Sequence, residues 1–168
     1  FLKQRNFTLT HIFTTHKHWD HCAGNILLLQ RKKDALIHEN LQIIGSARDE
    51  IKNATHYLAD SEVVHLFHGL IKVTAIATPC HTMGHLVYLF TCNDDDDSAA
   101  LFTGDHLFVG SVGKFFEGNG KLMRSSLAHL YASVAKLNIS LEKAHVFCGH
   151  EYTISNLKFA LHLEPENE

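Results

Sequence analysis

The sequence has few cysteines, no long apolar run and no marked excess of either charge, and each of these absences excludes a class of protein. The 4 cysteines among 168 residues are too few and too widely spaced for a disulfide-stapled miniprotein. No run of about 18 apolar residues is present to cross a membrane. Lys and Arg together number 15 against 18 Asp and Glu, so the chain has no net positive charge to favour binding to nucleic acid or anionic lipid. We therefore expect no nucleic-acid partner, no membrane association and a reducing compartment, the cytoplasm or the mitochondrial matrix.

What the sequence has in plenty is histidine. Its 15 histidines equal Lys and Arg together in number, and histidine is the commonest metal ligand in proteins. A hydrophobic fraction of 45% with 20% charged residues is typical of a soluble globular chain, and the length is that of one domain or of a piece of a larger protein. The composition therefore raises the hypothesis of a metal site in a globular domain.

Predicted strands and helices alternate along the chain, without an internal repeat or a linker rich in Pro, Gly or Ser. The residue pattern predicts strands at 7–15, 34–38, 63–67, 71–77, 86–91, 99–103 and 145–148, and helices at 24–32, 121–137 and 155–163. The apolar run from Ile26 to Leu29 predicts a buried helix, 93–97 predicts a turn, and 41–60 has no clear period. We expect a mixed α/β fold in which helices cover a sheet of short strands.

Four groups of polar residues come directly after predicted strands. They are Thr15-His16, Thr78-Pro79-Cys80-His81, Thr103-Gly104-Asp105 and Cys148-Gly149-His150. If these strand ends meet at one edge of the fold, their side chains form a single site.

The densest of these groups reads THKHWDH over residues 15–21, with three histidines and one aspartate in the last six positions. So many polar side chains are costly to bury unless each is paired or bound to a metal. Imidazole and carboxylate ligands suit zinc, iron or manganese, and alternating ligands in such a loop can contribute to two adjacent metal sites. The alternative is a solvated loop rich in histidine. In either case we expect Trp19 to pack beneath the loop.

Together with later strings, this motif resembles the metallo-β-lactamase superfamily and, within it, the hydroxyacylglutathione hydrolase (glyoxalase II) family. The later strings are TPCHTMGH at 78–85, FTGD at 102–105, GKFFEG at 113–118 and CGHEYT at 148–153, in the order that the family has them. The resemblance implies an α/β fold of the metallo-β-lactamase type, a four-layer αββα sandwich. Residues 1–168 would form a partial catalytic domain, truncated at both ends, without the family's N-terminal strands and C-terminal helical region.

The resemblance also implies a binuclear site for two divalent metal ions, zinc or else iron or manganese. The implied ligands are His16, His18 and His81 for one ion, Asp20, His21 and His150 for the other, and Asp105 as a bridge. Each ion then has four protein ligands and can share a hydroxide. In the family's reaction this metal-bridging hydroxide attacks a glutathione thioester, S-D-lactoylglutathione, and yields D-lactate and glutathione. The catalytic roles fall to Asp105 and to Asp20, which would also orient the hydroxide.

Three residues are expected to contact the substrate. The resemblance assigns Lys114 to the glutathione moiety, where a cation can face the carboxylates of the peptide, and assigns Tyr152 as a second contact. Phe116 stands where the family usually has tyrosine, so it can pack on the substrate but lacks the hydroxyl hydrogen bond. His85 is expected to be a structural neighbour of the ligands, and His106 either a hydrogen-bonding neighbour or a tolerated substitution.

Two other functions remain open. One is a persulfide dioxygenase of the same fold with a single iron ion, which shares the early histidine motif but is less compatible with the HEYT string and the complete ligand set. The other is a non-catalytic relative of glyoxalase II, which Phe116 and the absent flanking regions favour. Metal content and oxygen consumption identify the dioxygenase. A thioesterase assay with lactoylglutathione, compared with an Asp105→Ala variant, identifies the non-catalytic relative.

Overall fold

In the computed structural model, two β-sheets pack face to face and carry helices on their outer sides. The structure describes residues 1–31, 34–92, 95–139 and 141–167, without the side chains of 95–98 and 141. Helices α1 to α5 are Leu2–Arg5, Trp19–Cys22, Gly24–Gln30, Gly120–Ala135 and Thr153–Leu163. Strands β1 to β10 are Leu9–Phe13, Ile37–Ser46, His56–Leu58, Val63–Leu66, Ile71–Ala77, Leu86–Cys92, Asp95–Gly104, Leu107–Phe108, Ser111–Val112 and Ala144–Cys148. Short 3-10 turns occupy Ala47–Asp49, Phe67–Gly69 and Leu141–Lys143.

The two sheets differ in strand direction. The first has the order β1-β2-β3, and both of its strand pairs are parallel. The second has the order β10-β7-β6-β5-β4, in which β10 runs parallel to β7 and the other pairs are antiparallel. Strands β8 and β9 form a small antiparallel pair of their own. The ends of β1, β7 and β10 lead directly into the loops that carry the polar motifs.

The central strands β5 and β6 of the second sheet bury side chains on both faces, to which successive side chains of a strand point in turn. On one face, Ile76 packs in a cluster with Leu130 of α4. On the other face, Ala75 and Tyr88 pack with Phe13 of β1, whose ring centroid lies 5.2 Å from that of Tyr88. Each fully buried side chain of this kind contributes about 1.5–3 kcal/mol of hydrophobic free energy. The core therefore lies partly between the two sheets and partly under α4.

Helix α4 is fixed at its start and along its buried face. The side chain of Asn119 caps the helix by accepting a hydrogen bond from the Leu122 N–H at 3.0 Å. Further along, the Ser126 hydroxyl donates to the Pro79 carbonyl oxygen at 2.6 Å. This second bond attaches the helix to the loop that follows β5 and leads to His81.

The layer order confirms the predicted sandwich: α3 packs against β2 of the first sheet, and α4 packs against β5 of the second. Every predicted strand and helix overlaps an observed one, although β2 begins only at Ile37 and extends to Ser46. The residues at 41–60 that showed no period contain the rest of β2, a 3-10 turn and β3. In the predicted turn at 93–97, residues 93 and 94 lie outside the described part of the chain, and β7 already begins at Asp95.

Two predictions about burial are wrong. Within α3 only Asn25 is buried, whereas Ile26 is 45% and Leu27 61% exposed, because the helix turns a single narrow face to the protein. Trp19 is 79% exposed and does not pack beneath the ligand loop, since it opens α2 on the solvent side. Among the helices that the structure describes, none is long and apolar enough to span a membrane.

Candidate metal centre

The four polar groups that follow strands lie at one edge of the two sheets. The chain leaves β1 before His16, β5 before His81, β7 before Asp105 and β10 before His150. Backbone hydrogen bonds join these segments, from the Leu86 N–H to the Thr15 carbonyl at 2.9 Å and from the Gly149 N–H to the Gly104 carbonyl at 2.8 Å. The predicted convergence of strand ends on one site is confirmed.

A first donor group consists of His16, His18 and His81. The Nδ1 atom of His18 lies 3.1 Å from Nε2 of His16 and 3.0 Å from Nε2 of His81. Nitrogen ligands about 2.0–2.1 Å from a common cation lie about 3.0–3.4 Å from one another, depending on the coordination angle. The three imidazoles therefore have the spacing of ligands to one cation.

A second donor group consists of Asp20, His21 and His150. The two Nε2 atoms of His21 and His150 are 3.3 Å apart, and Oδ2 of Asp20 lies 3.5 Å from the first and 3.4 Å from the second. Helix α2 supplies Asp20 and His21, while His150 arrives from the end of β10. This group is more open to solvent than the first, since Asp20 is exposed.

Asp105 lies between the two groups. Its Oδ1 is 3.4 Å from Nε2 of His21, and its Oδ2 is 3.5 Å from Nε2 of His81 and 3.3 Å from Nε2 of His150. The Oδ1 atom is buried and has no hydrogen-bond partner among the described residues. A buried carboxylate oxygen without a donor is costly unless a cation neutralises it, so this observation fits a metal at the site.

The histidines at the centre are held in the neutral form. Burial, together with His21, His81 and His18, lowers the pKa of His16 to about 2. Burial likewise lowers the pKa of His81, and it lowers that of His21 against the opposing effect of the nearby carboxylates. Because only an unprotonated ring nitrogen binds a metal, these histidines are ready to do so at neutral pH.

Hydrogen bonds from the surrounding chain also select the tautomers. The Nδ1–H of His81 donates to the Lys114 carbonyl oxygen at 2.8 Å, which leaves Nε2 facing His18 without a proton. His85 is fully buried, and its Nε2 accepts a hydrogen bond from the Asp105 backbone N–H at 3.2 Å while Nδ1 donates to the Thr78 hydroxyl at 2.9 Å. Both ring nitrogens of His85 are thus occupied, as expected for a structural neighbour.

Gly104 permits the close approach of these segments. Its φ of +49° lies in the left-handed region that favours glycine. A Cβ atom there would lie 2.6 Å from the Thr15 hydroxyl oxygen and 2.8 Å from Nε2 of His85. A larger residue would therefore push Asp105 away from its neighbours.

The three predicted substrate contacts, Lys114, Phe116 and Tyr152, line one cleft of ≈ 290 Å³ together with His81 and Asp105. The Phe116 ring packs edge-on against His81, with centroids 5.2 Å apart, and Lys114 Nζ lies 4.8 Å from the centre of the Phe116 ring. The Tyr152 ring stacks on the ring of His150 at 5.1 Å. The cleft thus opens directly onto the donor groups.

Near the site, the structure differs from the expectation for His106 and adds one residue, Asp49, that the sequence did not indicate. His106 is fully buried, yet neither ring nitrogen has a hydrogen-bond partner among the described residues, so the expected hydrogen-bonding role is not observed there. Burial, with a contribution from His81, lowers the pKa of His106 to about 4. Asp49, from the segment without a clear period, is buried and accepts hydrogen bonds from two loops that carry predicted ligands. No local sequence signal marks Asp49, because its partners lie 32 or more residues away.

Comparisons with known proteins identify relatives of this chain. The chain is 39% identical over 167 residues to a hydroxyacylglutathione hydrolase-like protein of Gallus gallus, covering 99% of this chain and 54% of the relative. It is 38% identical over 156 residues to the cytoplasmic hydroxyacylglutathione hydrolase of Arabidopsis thaliana, covering 93% of this chain and 55% of the relative. The chain therefore spans about half the length of these curated relatives.

Solved structures show the same fold. ETHE1 from Myxococcus xanthus superposes with a TM-score of 0.66 at 25% identity, over 90% of this chain and 58% of that one. A metallo-beta-lactamase from Staphylococcus aureus superposes with a TM-score of 0.56 at 20% identity, over 88% of this chain and 43% of that one. The family model of the metallo-beta-lactamase superfamily matches residues 1–150. The chain belongs to the metallo-β-lactamase superfamily.

Proposed function

We propose that residues 1–168 form the metal-binding catalytic domain of a thioester hydrolase of the hydroxyacylglutathione hydrolase type. The substrate is a small glutathione thioester, S-D-lactoylglutathione, and the products are D-lactate and glutathione. The observation that carries the proposal is the sharing of Asp105 between two adjacent donor groups. The identity of 38–39% to hydroxyacylglutathione hydrolases over nearly the whole chain supports the choice of reaction.

The donor set suits two divalent cations, with zinc as the first candidate and iron or manganese as alternatives. His16, His18 and His81 would hold one ion, Asp20, His21 and His150 the other, and Asp105 both. When bound, such ions supply a water of low pKa and Lewis-acid stabilisation of negative charge on a thioester oxygen. Nitrogen and carboxylate donors accept all three metals, so availability decides among them.

The chain's own residues would position the thioester. Phe116 and Tyr152 line the cleft, where Phe116 packs against His81 and Tyr152 against His150, so their rings can contact the acyl group and its thioester. Lys114 offers a cation to the carboxylates of glutathione at the rim. Asp20, the more exposed of the two carboxylates, would accept a hydrogen bond from the attacking water and orient it. We place the protein in the cytoplasm, as the name of the Arabidopsis relative suggests.

The decisive experiment compares Asp105→Ala with the unchanged protein after loading with zinc, iron or manganese. Metal content is measured per chain, and hydrolysis of S-D-lactoylglutathione is followed by thiol release. We expect two metal ions per chain and a loss of activity of at least about 100-fold in Asp105→Ala. The matched control is Asp34→Ala, which removes an exposed aspartate on the loop before β2 and leaves activity unchanged.

The other two functions predict different results. One iron per chain, with oxygen consumption in the presence of a glutathione persulfide, would identify the protein as a dioxygenase and not a hydrolase. Metal binding without turnover of either substrate would indicate a binding protein. Equal hydrolysis by Asp105→Ala and the unchanged protein would remove the proposed mechanism.

A further inference from the structure

A buried carboxylate outside the proposed ligand set connects two loops of the site. Asp49 ends the 3-10 turn after β2 and is 2% exposed. Its Oδ2 accepts hydrogen bonds from the Lys17 backbone N–H at 3.0 Å and from the Thr82 hydroxyl at 2.6 Å. Its Oδ1 accepts one from the Gly84 backbone N–H at 2.8 Å. One side chain thus binds three donors from two distant segments.

Both segments carry ligands of the first donor group. Lys17 stands between His16 and His18, and Thr82 follows His81. His18 and His81 are 63 positions apart in sequence, yet their ring nitrogens are 3.0 Å apart. Local chain geometry does not set that distance, so it depends on the contacts that join the two loops.

Only a carboxylate satisfies all three donors of Asp49. Each of its oxygens faces a backbone N–H, one from Lys17 and the other from Gly84. An asparagine in the same place would turn an NH₂ group toward one of these amides in either side-chain orientation. A buried N–H without an acceptor costs about 1–3 kcal/mol. The substitution would therefore break the hydrogen bond between residue 49 and one of the two loops.

Gly84 packs directly against Asp49. A Cβ atom at position 84 would collide with Oδ1 and the backbone nitrogen of Asp49. The loop that carries His81 therefore approaches the Asp49 carboxylate as closely as a backbone without a side chain allows.

A second carboxylate reaches the same loops from the solvent side. Glu117 pairs with Lys17 Nζ at 2.6 Å and accepts a hydrogen bond from the Met83 N–H at 2.7 Å. The side chains of Lys17 and Glu117 are 41% and 30% exposed. Such a solvated ion pair contributes little to stability. Glu117 is therefore a natural control for Asp49, since it contacts the same segments without burial.

We propose that Asp49 is a positioning residue that sets the distance between the His16–His18 segment and His81. The inference rests on the metal-binding part of the proposed function, and it concerns the first donor group rather than the second. Both carboxylate oxygens of Asp49 accept these hydrogen bonds, and Asp49 belongs to neither donor group. It acts through Lys17, Thr82 and Gly84 on the spacing of three imidazoles, and so on the affinity of that group for a divalent cation.

The test measures Co²⁺ affinity in two backgrounds of the full chain. His150→Ala weakens the second donor group and leaves the first, whereas His18→Ala weakens the first and leaves the second. In the His150→Ala background, Asp49→Asn should lower the affinity for Co²⁺ by about ten- to a hundredfold. In the His18→Ala background the same change should lower it by less than about threefold. Visible absorption of bound Co²⁺ and a competing chelator give both affinities.

Three further variants complete the experiment. Thr82→Val removes one of the three hydrogen bonds with little change in volume and should lower the Co²⁺ affinity of the first donor group by about threefold. If circular dichroism shows that Asp49→Asn does not fold, Thr82→Val replaces it in the comparison. Glu117→Gln and Asp34→Asn should change neither affinity by more than about twofold.

An equal loss in both backgrounds, or no loss in either, would overturn the positioning role and leave Asp49 as a general structural residue. Selective loss in a protein that does not hydrolyse the thioester would support the role of Asp49 and overturn only the hydrolase. Absence of Co²⁺ binding by the unchanged protein would overturn both.

Discussion

The backbone N–H of Asp105 donates a hydrogen bond to Nε2 of His85 over 3.2 Å. This bond fixes the start of the segment whose carboxylate lies between the two donor groups. Burial and the neighbouring histidines hold the pKa of His85 well below its ordinary value. The ring is therefore neutral, and its unprotonated Nε2 is an acceptor for Asp105 rather than a free metal ligand.

The first prediction follows from that bond. His85→Met keeps a similar volume but leaves the Asp105 N–H and the Thr78 hydroxyl without their partner. We expect the free energy of unfolding to fall by about 1–3 kcal/mol and metal affinity to fall about ten- to a hundredfold. Urea unfolding and chelator competition measure the two effects. His65→Met, on the exposed side of β4, is the matched control, and an equal effect of both variants would contradict the prediction.

The second prediction concerns His106, the residue next to Asp105, whose buried ring nitrogens lack partners in the part of the chain that the structure describes. Because a buried polar group without a partner is destabilising, His106→Met should raise the free energy of unfolding by about 1 kcal/mol. The measurement is urea unfolding of the metal-free protein at pH 8. The same substitution thus has opposite signs at positions 85 and 106. A loss of more than about 1 kcal/mol at position 106 would show that its ring is satisfied.

The third prediction concerns Lys114 at the rim of the cleft. If its cation faces the carboxylates of glutathione, Lys114→Ala should raise KM for S-D-lactoylglutathione by about fivefold and leave kcat unchanged, since one solvated charge pair contributes about 1 kcal/mol. Lys114→Arg should retain most of the affinity. A cysteamine thioester, which has no carboxylates, should show the same KM with the unchanged protein and with Lys114→Ala. A fall in kcat for both substrates would instead place Lys114 in the chemical step.

Much of the candidate site was predictable because its proposed ligands lie within recognisable sequence motifs. His16, His18 and His21 fall within one loop, and His81 and His150 directly follow strands that the residue pattern predicts. Such positions can be predicted from the motif and the end of the strand alone. The geometry then follows from parallel and antiparallel pairing, which brings the strand ends to one edge.

The rest depends on contacts between distant segments, for which one sequence carries little signal. Asp49 lies in the stretch without a clear period, and its partners are 32–35 positions away. The burial of α3 was overestimated because an apolar run does not state which side faces the protein, and Leu27 is in fact 61% exposed. The partners of His85 were likewise visible only in three dimensions.

The last prediction uses the contact between α4 and the loop before β4. Oδ1 of Asp60 accepts hydrogen bonds from His129 Nε2 at 2.9 Å and from the Ala77 N–H at 2.7 Å. Burial raises the pKa of Asp60, but hydrogen bonds from Ala77, His129 and Ser61 outweigh it, and the net pKa lies below the ordinary value of 3.8.

Because its pKa is lowered on folding, the Asp60 carboxylate stabilises the protein above the ordinary pKa, and this contribution is lost as the pH falls through the folded pKa. Asp60→Asn should therefore lower the free energy of unfolding at pH 6, by no more than about 1 kcal/mol since both side chains of the pair are about 40% exposed. The difference from the unchanged protein should shrink as the pH is lowered from 5 toward 3.5. Urea unfolding at each pH measures it, with Asp34→Asn as the control for loss of an exposed carboxylate. A difference that stays constant over this range would mean that the protonated carboxyl group of Asp60 retains whatever the carboxylate contributes, and that the charge of Asp60 has no part in holding α4 to this loop.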